Sequence, residues 1–411
     1  MRAAMGGNRS EVRARRLARG IATMSGASQM SAALQTADAL FEPLLLGQRT
    51  SRNRLFLAPM SVCYADSGGN VTAAQIAHYG RRAKGGVGVV VTENFAVSPA
   101  GRQLPQQTNI WSDDHLGGLS SLASEIKGHG ALAIMQIVHA GRYAGPWADY
   151  EQHPGLAPSA IAFPLQPGRI VTPVRISVSQ IEEAIAAFAN AARLAALAGF
   201  DGVEIHGAQG FLISQFLSPR MNQREDAWGG DAWKRTRFAR EVLSAVRATV
   251  PSDFIVGWHL LSDELVEGGY GVEDAKALAL ELQSSVDFFI PVAGTFETFQ
   301  LVQNQGFMNK PGFQLAPAIE VAEAVKVPVV ANGNLGSAPE IATLVAAGPF
   351  SAAGLARPLL ADPDWPLKVR EGREMDVARC GCQPPLCLQT QLTGVRCSAW
   401  PEEVQRAGYY G

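Results

Sequence analysis

Only five of the 411 residues are cysteine, too few for a disulfide-held scaffold of this length. Neither sign of charge dominates. Lys and Arg number 35 against 37 Asp and Glu, a net charge of −2, and no basic stripe points to nucleic acid. No apolar run reaches the roughly 18 residues of a membrane helix, so no membrane partner is expected. No Gly-x-Gly-x-x-Gly opens a helix after a strand, which argues against a dinucleotide-binding sheet. Acidic residues are scarce at the start: Arg2, Arg9, Arg13, Arg15, Arg16 and Arg19 face only Glu11 and Asp38. That stretch lacks the apolar core of a secretory signal. Residues 1–38 are expected to be a disordered or dispensable extension. A transit peptide, or a true start at Met24 or Met30, is the other reading. The rest is expected to work in the cytoplasm on a small molecule, and nothing in the sequence sets the oligomeric state.

What is present is apolar residue in quantity, 47%, arranged in a repeating pattern. Eight short runs are apolar throughout, as parallel strands buried on both faces should be. They are Leu55–Met60, Val87–Glu93, Leu132–Val138, Asp201–His206, Phe254–Leu260, Val286–Val292, Val327–Asn332 and Phe350–Leu355. Helical patterns follow at 72–84, 113–128, 179–198, 234–249, 272–284, 316–325, 338–347 and 363–371. Ser179 with Glu182 reads as a capping box, and Thr72 with Gln75 as a second. Strand–helix alternation repeated eight times predicts an α/β fold, a (β/α)8 TIM barrel over residues 39–373. Residues 374–411 form a cysteine-containing tail without further strand–helix pattern. Two connections, 139–178 and 207–233, are long enough to build or cover a site.

Chemistry concentrates between Gly199 and Gly230, GFDGVEIHGAQGFLISQFLSPRMNQREDAWGG. A buried strand delivers His206 to its C-terminal end, and Gln209 follows three residues later. The two can aim N–H donors at one substrate oxygen. The catalytic end of a barrel is where such donors belong. The same stretch resembles the Old Yellow Enzyme family of NADH:flavin oxidoreductases and ene-reductases. That family ends this strand in His-x-x-His or His-x-x-Asn, followed by Gly-Tyr. It then carries Asn-x-Arg-x-Asp-x-Tyr-Gly-Gly, matched here by Asn222, Arg224, Asp226, Trp228, Gly229 and Gly230.

The loops after the last two strands read Ala331-Asn-Gly-Asn-Leu and Ala353-Gly-Leu-Ala-Arg-Pro. Gly333 and Gly354 permit close backbone approach, and Arg357 supplies a fork of donors for phosphate. Ordinary βα-turn glycines beside a surface arginine are the equally weighted alternative from these residues alone. The resemblance, which runs over roughly residues 40–372, implies more. It implies FMN as cofactor, with Pro59, Met60, Ser61, Asn94, Gln136, His259, Gly333, Asn334, Gly354, Ala356 and Arg357 around it. NADPH or NADH would be the reductant. His206 and Gln209 would hold a carbonyl oxygen while hydride reaches the β-carbon of an activated alkene.

Three departures qualify that expectation. The family's proton donor, a Tyr directly after the Gly, is Phe211, which has no proton to give. Water, Tyr64 or Tyr143 must then serve, or a redox-neutral double-bond isomerisation replaces reduction. His259 stands where the family has Arg beside the flavin, so a lower or more pH-dependent potential is expected. In the phosphate motif Ala356 replaces a Gly. An amine or N-methyl dehydrogenase relative and a non-catalytic ligand-binding barrel are the remaining readings. The tail resembles the iron–sulfur segment of the dienoyl-CoA reductase and amine dehydrogenase branch in degenerate form, with Cys380, Cys382, Cys387 and Cys397 at shifted spacing. A relic with unligated thiols is the leading expectation, an iron–sulfur or zinc site the second. The downstream dinucleotide-binding region of that branch is expected to be absent.

Overall fold

The computed structural model describes residues 37–145, 150–166, 168–381 and 385–410. The expected extension over residues 1–38 therefore lies almost wholly outside the described residues.

Eight parallel strands form one sheet. They are β1 (Leu55–Leu57), β2 (Val89–Ala96), β3 (Leu132–Val138), β4 (Gly202–Gly207), β5 (Ile255–Asp263), β6 (Phe288–Ala293), β7 (Val330–Ala331) and β8 (Ala352–Leu355). The order around the sheet is β6-β5-β4-β3-β2-β1-β8-β7. The ring closes where Phe289 pairs with Val329 and donates its N–H to Pro328 O at 3.0 Å. Every residue of β2, β4 and β6 is buried, as strands walled by helices outside and packed side chains inside must be.

Helices α1 (Ala73–Lys84), α2 (Leu116–Gly128), α3 (Val178–Leu197), α4 (Arg237–Thr249), α5 (Val272–Leu282), α6 (Leu315–Ala324), α7 (Ala338–Ala346) and α8 (Trp365–Arg370) follow the strands in turn. The eightfold alternation is thus the fold, and the expected TIM barrel is what the chain forms. The capping expectations need correction. The reciprocal box at α3 is made by Ser177 and Gln180, not by Ser179 and Glu182. Ser179 instead reaches forward to Glu183 Oε1 at 3.1 Å. Two Ser residues in one tripeptide compete for the cap, and the earlier one has the extended backbone a cap requires (ψ 166°). Thr72 does cap α1. Gln75, however, turns inward to Glu93 and Thr108 rather than back to the cap.

The long connections are folded. Phe163–Gln166 and Arg169–Val171 form a hairpin, and Leu212–Leu217 is a short helix. The tail also packs on the barrel. Val395, Cys397 and Trp400 are buried in its core. Trp400 Nε1 donates to Leu360 O at 2.6 Å, and Val395 N–H donates to Val62 O at 3.0 Å. Arg82, fully buried, donates to Leu359 O and Leu360 O and faces the ring of Tyr410.

One buried acid anchors the segment after β1. Glu93 accepts the N–H groups of Val62 and Cys63 at 2.9 Å each, and Gln75 Nε2 at 2.8 Å. Burial pushes its carboxyl up to about 7, against the pull of those donors. A carboxyl raised on folding contributes stability below its unfolded value and loses it as pH rises through the folded one. Thermal stability is therefore expected to fall between about pH 5 and pH 7, by about 1.4 kcal/mol per unit of proton-affinity shift crossed. Glu93→Gln should flatten that fall. Melting curves across this range check it, and an unchanged slope in the variant would count against Glu93 as the source.

Candidate active site

At the C-terminal ends of the strands a polar layer crosses the barrel interior. Asn94 on β2 lies level with Gln136 on β3, and Gln136 with Glu204 on β4. Two residues further along, His206 lies level with His259 on β5. Side chains alternate along a strand, so Glu204 and His206 point the same way, into the barrel. Glu204 is completely buried and joins the layer together. Its Oε2 accepts from Gln136 Nε2 at 2.9 Å, and its Oε1 meets His259 Nδ1 at 2.9 Å. Sequence reasoning missed Glu204, although an acid inside an otherwise apolar strand was the signal.

The turn after β4 is tightly constrained. Gln209 and Gly210 both take left-handed backbone, at φ 55° and 87°. A Cβ on Gly210 would stand 2.8 Å from Tyr143 Oη, so the position is closed to larger residues on both counts. Gln215, fully buried, donates to Gly210 O at 2.6 Å and accepts from Arg142 N–H at 3.2 Å. It ties this turn to the turn after β3. His206 accepts the Ala208 N–H at Nδ1, 3.3 Å away, which leaves Nε2 to carry the proton. Burial, and then the charge of His259, hold His206 well below the ordinary imidazole range, while a hydrogen bond with Gln209 acts the other way. His206 is thus a neutral donor.

Phe211 is buried, its ring edge-on to His206 with centroids 4.7 Å apart and 5.4 Å from Phe296. Neither phenol named as an alternative proton source directs its hydrogen bond at this turn. Tyr64 Oη donates to Val395 O at 2.5 Å, in the tail. Tyr143 Oη donates to Glu297 Oε1 at 2.7 Å, and Arg142 also pairs with Glu297. Burial raises the proton affinity of both phenols.

Beside this turn lies a cavity of about 1010 Å³, counting its open mouth. Of the residues singled out for a flavin or for catalysis, Pro59, Met60, Gln209, His259, Gly333, Asn334, Gly354, Ala356 and Arg357 line it. Ser61, Asn94, Gln136 and His206 are not on its wall. Asn94 is occupied by Gln107, which donates to its Oδ1 at 2.7 Å. Met308, Phe313, Gln314 and Asn332 also line it, as do Pro385, Cys387 and Leu388 from the tail. Sequence reasoning named Asn332 only as a strand end and Cys387 only as a tail thiol, and had none of the other five by number. A second cavity of about 800 Å³ continues past Asn334 and Arg357 to Ser337, Arg379 and Cys380. Arg357 bridges the two, donating to Asn334 Oδ1 at 2.5 Å.

The donor set fits FMN. Gln314 Oε1 is buried without a partner on the wall of the cavity, and buried polar atoms are rarely left so. A Cβ on Gly354 would come 3.2 Å from Ala58 Cβ, so a larger residue there would have to push that wall residue aside. Arg357 and the backbone before α7 offer donors suited to a phosphate.

The signature loop has a different task. Asn222 Nδ2 donates to Phe216 O and Trp228 O, both at 2.8 Å. Arg224 clasps Asp226 through two bonds, at 3.0 and 2.6 Å. Arg237 stacks 4.1 Å from the ring centre of Trp228. The motif folds this loop back on itself and stands off the cavity wall.

Of the four tail cysteines, Cys382 lies outside the described residues. Cys387 and Cys397 are buried and Cys380 half-buried. Among the described residues no three His, Cys, Asp or Glu side chains gather as metal ligands, and no helix among them is long and apolar enough to cross a membrane.

Comparison with known proteins agrees with this geometry. An NADH oxidase from Thermoanaerobacter brockii is 34% identical over 83% of this chain and 52% of its own length. An NADPH dehydrogenase from Halalkalibacterium halodurans is 34% identical over 80% of this chain and 92% of its own. A 2-naphthoyl-CoA reductase structure superposes with a TM-score of 0.83 at 30% identity, covering 89% of this chain and 57% of that one. The chain spans about half the length of the first curated relatives it matches. Residues 39–376 match the model of the NADH:flavin oxidoreductase / NADH oxidase family. With its barrel, its flavin-sized cavity and its paired donors, the chain belongs to that family of FMN-dependent oxidoreductases, the Old Yellow Enzyme family.

Proposed function

We propose that this chain reduces an alkene conjugated to a carbonyl or similar acceptor, with NAD(P)H as the electron source. The observation that carries the reading is Gln209 on the cavity wall, with His206 hydrogen-bonded to it from behind and held as a neutral donor. FMN bound there supplies the hydride relay. His206 Nε2–H and the Gln209 amide hold the substrate's carbonyl oxygen and stabilise the negative charge that develops on it. The α-carbon takes its proton from water entering through the open mouth of the cavity. Phe211 has none to give, and the Tyr64 and Tyr143 hydroxyls are engaged with Val395 and Glu297. Pro59, Met60, Gly333, Gly354 and Arg357 would hold the cofactor, while Gln136 lies behind the wall and positions Glu204.

Those engaged phenols also favour a second reading. With Phe211 lacking a proton and both phenols donating elsewhere, a redox-neutral isomerisation of the double bond, which needs no net proton delivery, is that reading. One experiment separates the two. The flavin absorption of the purified protein is followed anaerobically after NADPH or NADH, then after a cyclic enone. Bleaching by the nucleotide and recovery by the enone, with one NAD(P)H consumed per product, supports reduction. Product formed without nucleotide consumption supports isomerisation. Flavin that neither substrate nor nucleotide changes would sink both.

A further inference from the structure

Glu204 is a fully buried carboxylate whose one cationic counterpart within 4 Å, among the described residues, is His259. Its other neighbour, Gln136, is neutral. His259 itself is 6% exposed. One ring nitrogen, Nδ1, is committed to Glu204 at 2.9 Å. The ring lines the flavin cavity, so Nε2 is the nitrogen left to face it. The groups around the imidazole can all be named. On β4 stand Glu204 and His206, the latter with its ring centre 4.7 Å away. Beside it on β6 is Ile290, and Gln209 and Asn332 share the cavity wall. Arg357 is the remaining charged side chain on that wall. Of the two adjacent histidines, His206 is the one kept neutral, by burial and by the charge next to it.

We infer that His259, held by Glu204, takes up a proton when the flavin is reduced, and so ties the cofactor's potential to pH. The argument rests on FMN occupying this cavity, not on the identity of the substrate. In balance, NAD(P)H loses a hydride, so two electrons and one proton reach the flavin ring and leave it with an added negative charge. A second proton would pass from solvent to His259 Nε2, leaving an imidazolium held by the Glu204 carboxylate through Nδ1 and facing the cavity. An opposite charge within a few ångströms favours the charged form. An arginine in the same place would be charged in both redox states and would take up nothing. Glu204 is a positioning residue here. It fixes the ring so that Nε2 faces the cavity, and it supplies the counter-charge.

The test is the midpoint potential of the FMN-loaded protein, read by anaerobic dye equilibration from about pH 6 to about pH 9. It is made on the native chain and on His259→Arg and His259→Asn. The native potential should lie near that of the Arg variant at the acid end and near that of the Asn variant at the alkaline end. Between them it should fall more steeply than either, by about 30 mV per pH unit for the one extra proton of a two-electron couple. Glu204→Gln should move that crossing to lower pH, since the carboxylate no longer favours the imidazolium. A native slope parallel to both variants throughout overturns the inference. A crossing that Glu204→Gln leaves in place overturns the role of Glu204. Alkene reduction is not part of this readout. Failure to reduce any enone would sink the proposed reaction and leave this intact, parallel slopes would sink this alone, and a protein that takes up no FMN would sink both.

Discussion

Phe211→Tyr is expected to speed the reaction of the reduced protein with an enone by about 100-fold or more, the range in which a positioned acid contributes. The ring already has the right neighbours. It is edge-on to His206 at 4.7 Å, and its residue holds the N-cap position of the helix Leu212–Leu217. A hydroxyl at its tip needs room. Phe211 is 1% exposed, but Phe296, packed 5.4 Å away, is 41% exposed and is the ring able to give way. The new phenol would supply the α-carbon proton that water supplies in the native chain. Stopped-flow reoxidation by a cyclic enone measures the gain. A drop in the solvent deuterium effect should accompany it, since proton transfer to the α-carbon would no longer limit the step. Under the isomerisation reading, the same substitution should divert product toward net reduction and raise NAD(P)H consumption. A variant that folds, binds flavin and reoxidises at the native rate would show that proton delivery does not limit this step.

The barrel was legible because its signal is repetitive. Eight apolar runs, each followed by an amphipathic stretch, leave one economical topology, and small errors at each boundary do not disturb it. At β7 the run Val327–Asn332 contains only two residues of regular pairing, Val330 and Ala331. The run is longer than the strand because Pro328 withholds a donor from the ladder. The site was legible in part for a different reason. His206, Gln209, Gly333 and Arg357 sit at fixed offsets from strand ends, and the family resemblance, more than spacing alone, singled them out. Glu204 was not found, because its importance lies in two partners, Gln136 and His259, that are 68 and 55 residues away. Gln314 and the tail residue Pro385 were missed similarly, and Cys387 was named only as a tail thiol, since only folding brings them to the cavity. The tail read as an appendage because it carries no strand–helix period. In the structure it closes on the segment after β1 through Val395 and on the helix Arg357–Ala361 through Trp400.

His206→Ala should lower the rate of enone reduction by about 100- to 1000-fold, the usual loss when one donor to a developing oxyanion is removed. The effect should appear in the oxidative half-reaction and leave flavin bleaching by NAD(P)H within about tenfold, because the lost group holds the alkene substrate's oxygen. The donor works as a neutral imidazole. Ala208 N–H fixes the tautomer by donating to Nδ1 at 3.3 Å, and burial with the charge of His259 displaces protonation well below the ordinary range. Over neutral pH the contribution of His206 should therefore be flat, with its acid limb lying below where a free imidazole would place it. Gln209→Leu should cost a similar factor. The double variant should lose less than the product of the two, since the residues hydrogen-bond to each other and act on one oxygen. His206→Asn, which keeps an N–H donor on a shorter stem, should recover part of the rate, whereas a purely structural role would be met no better by Asn than by Ala. Half-reaction rates for the four variants decide the matter. Strict multiplicativity, or a loss confined to flavin bleaching, would show that the two donors do not share a substrate oxygen.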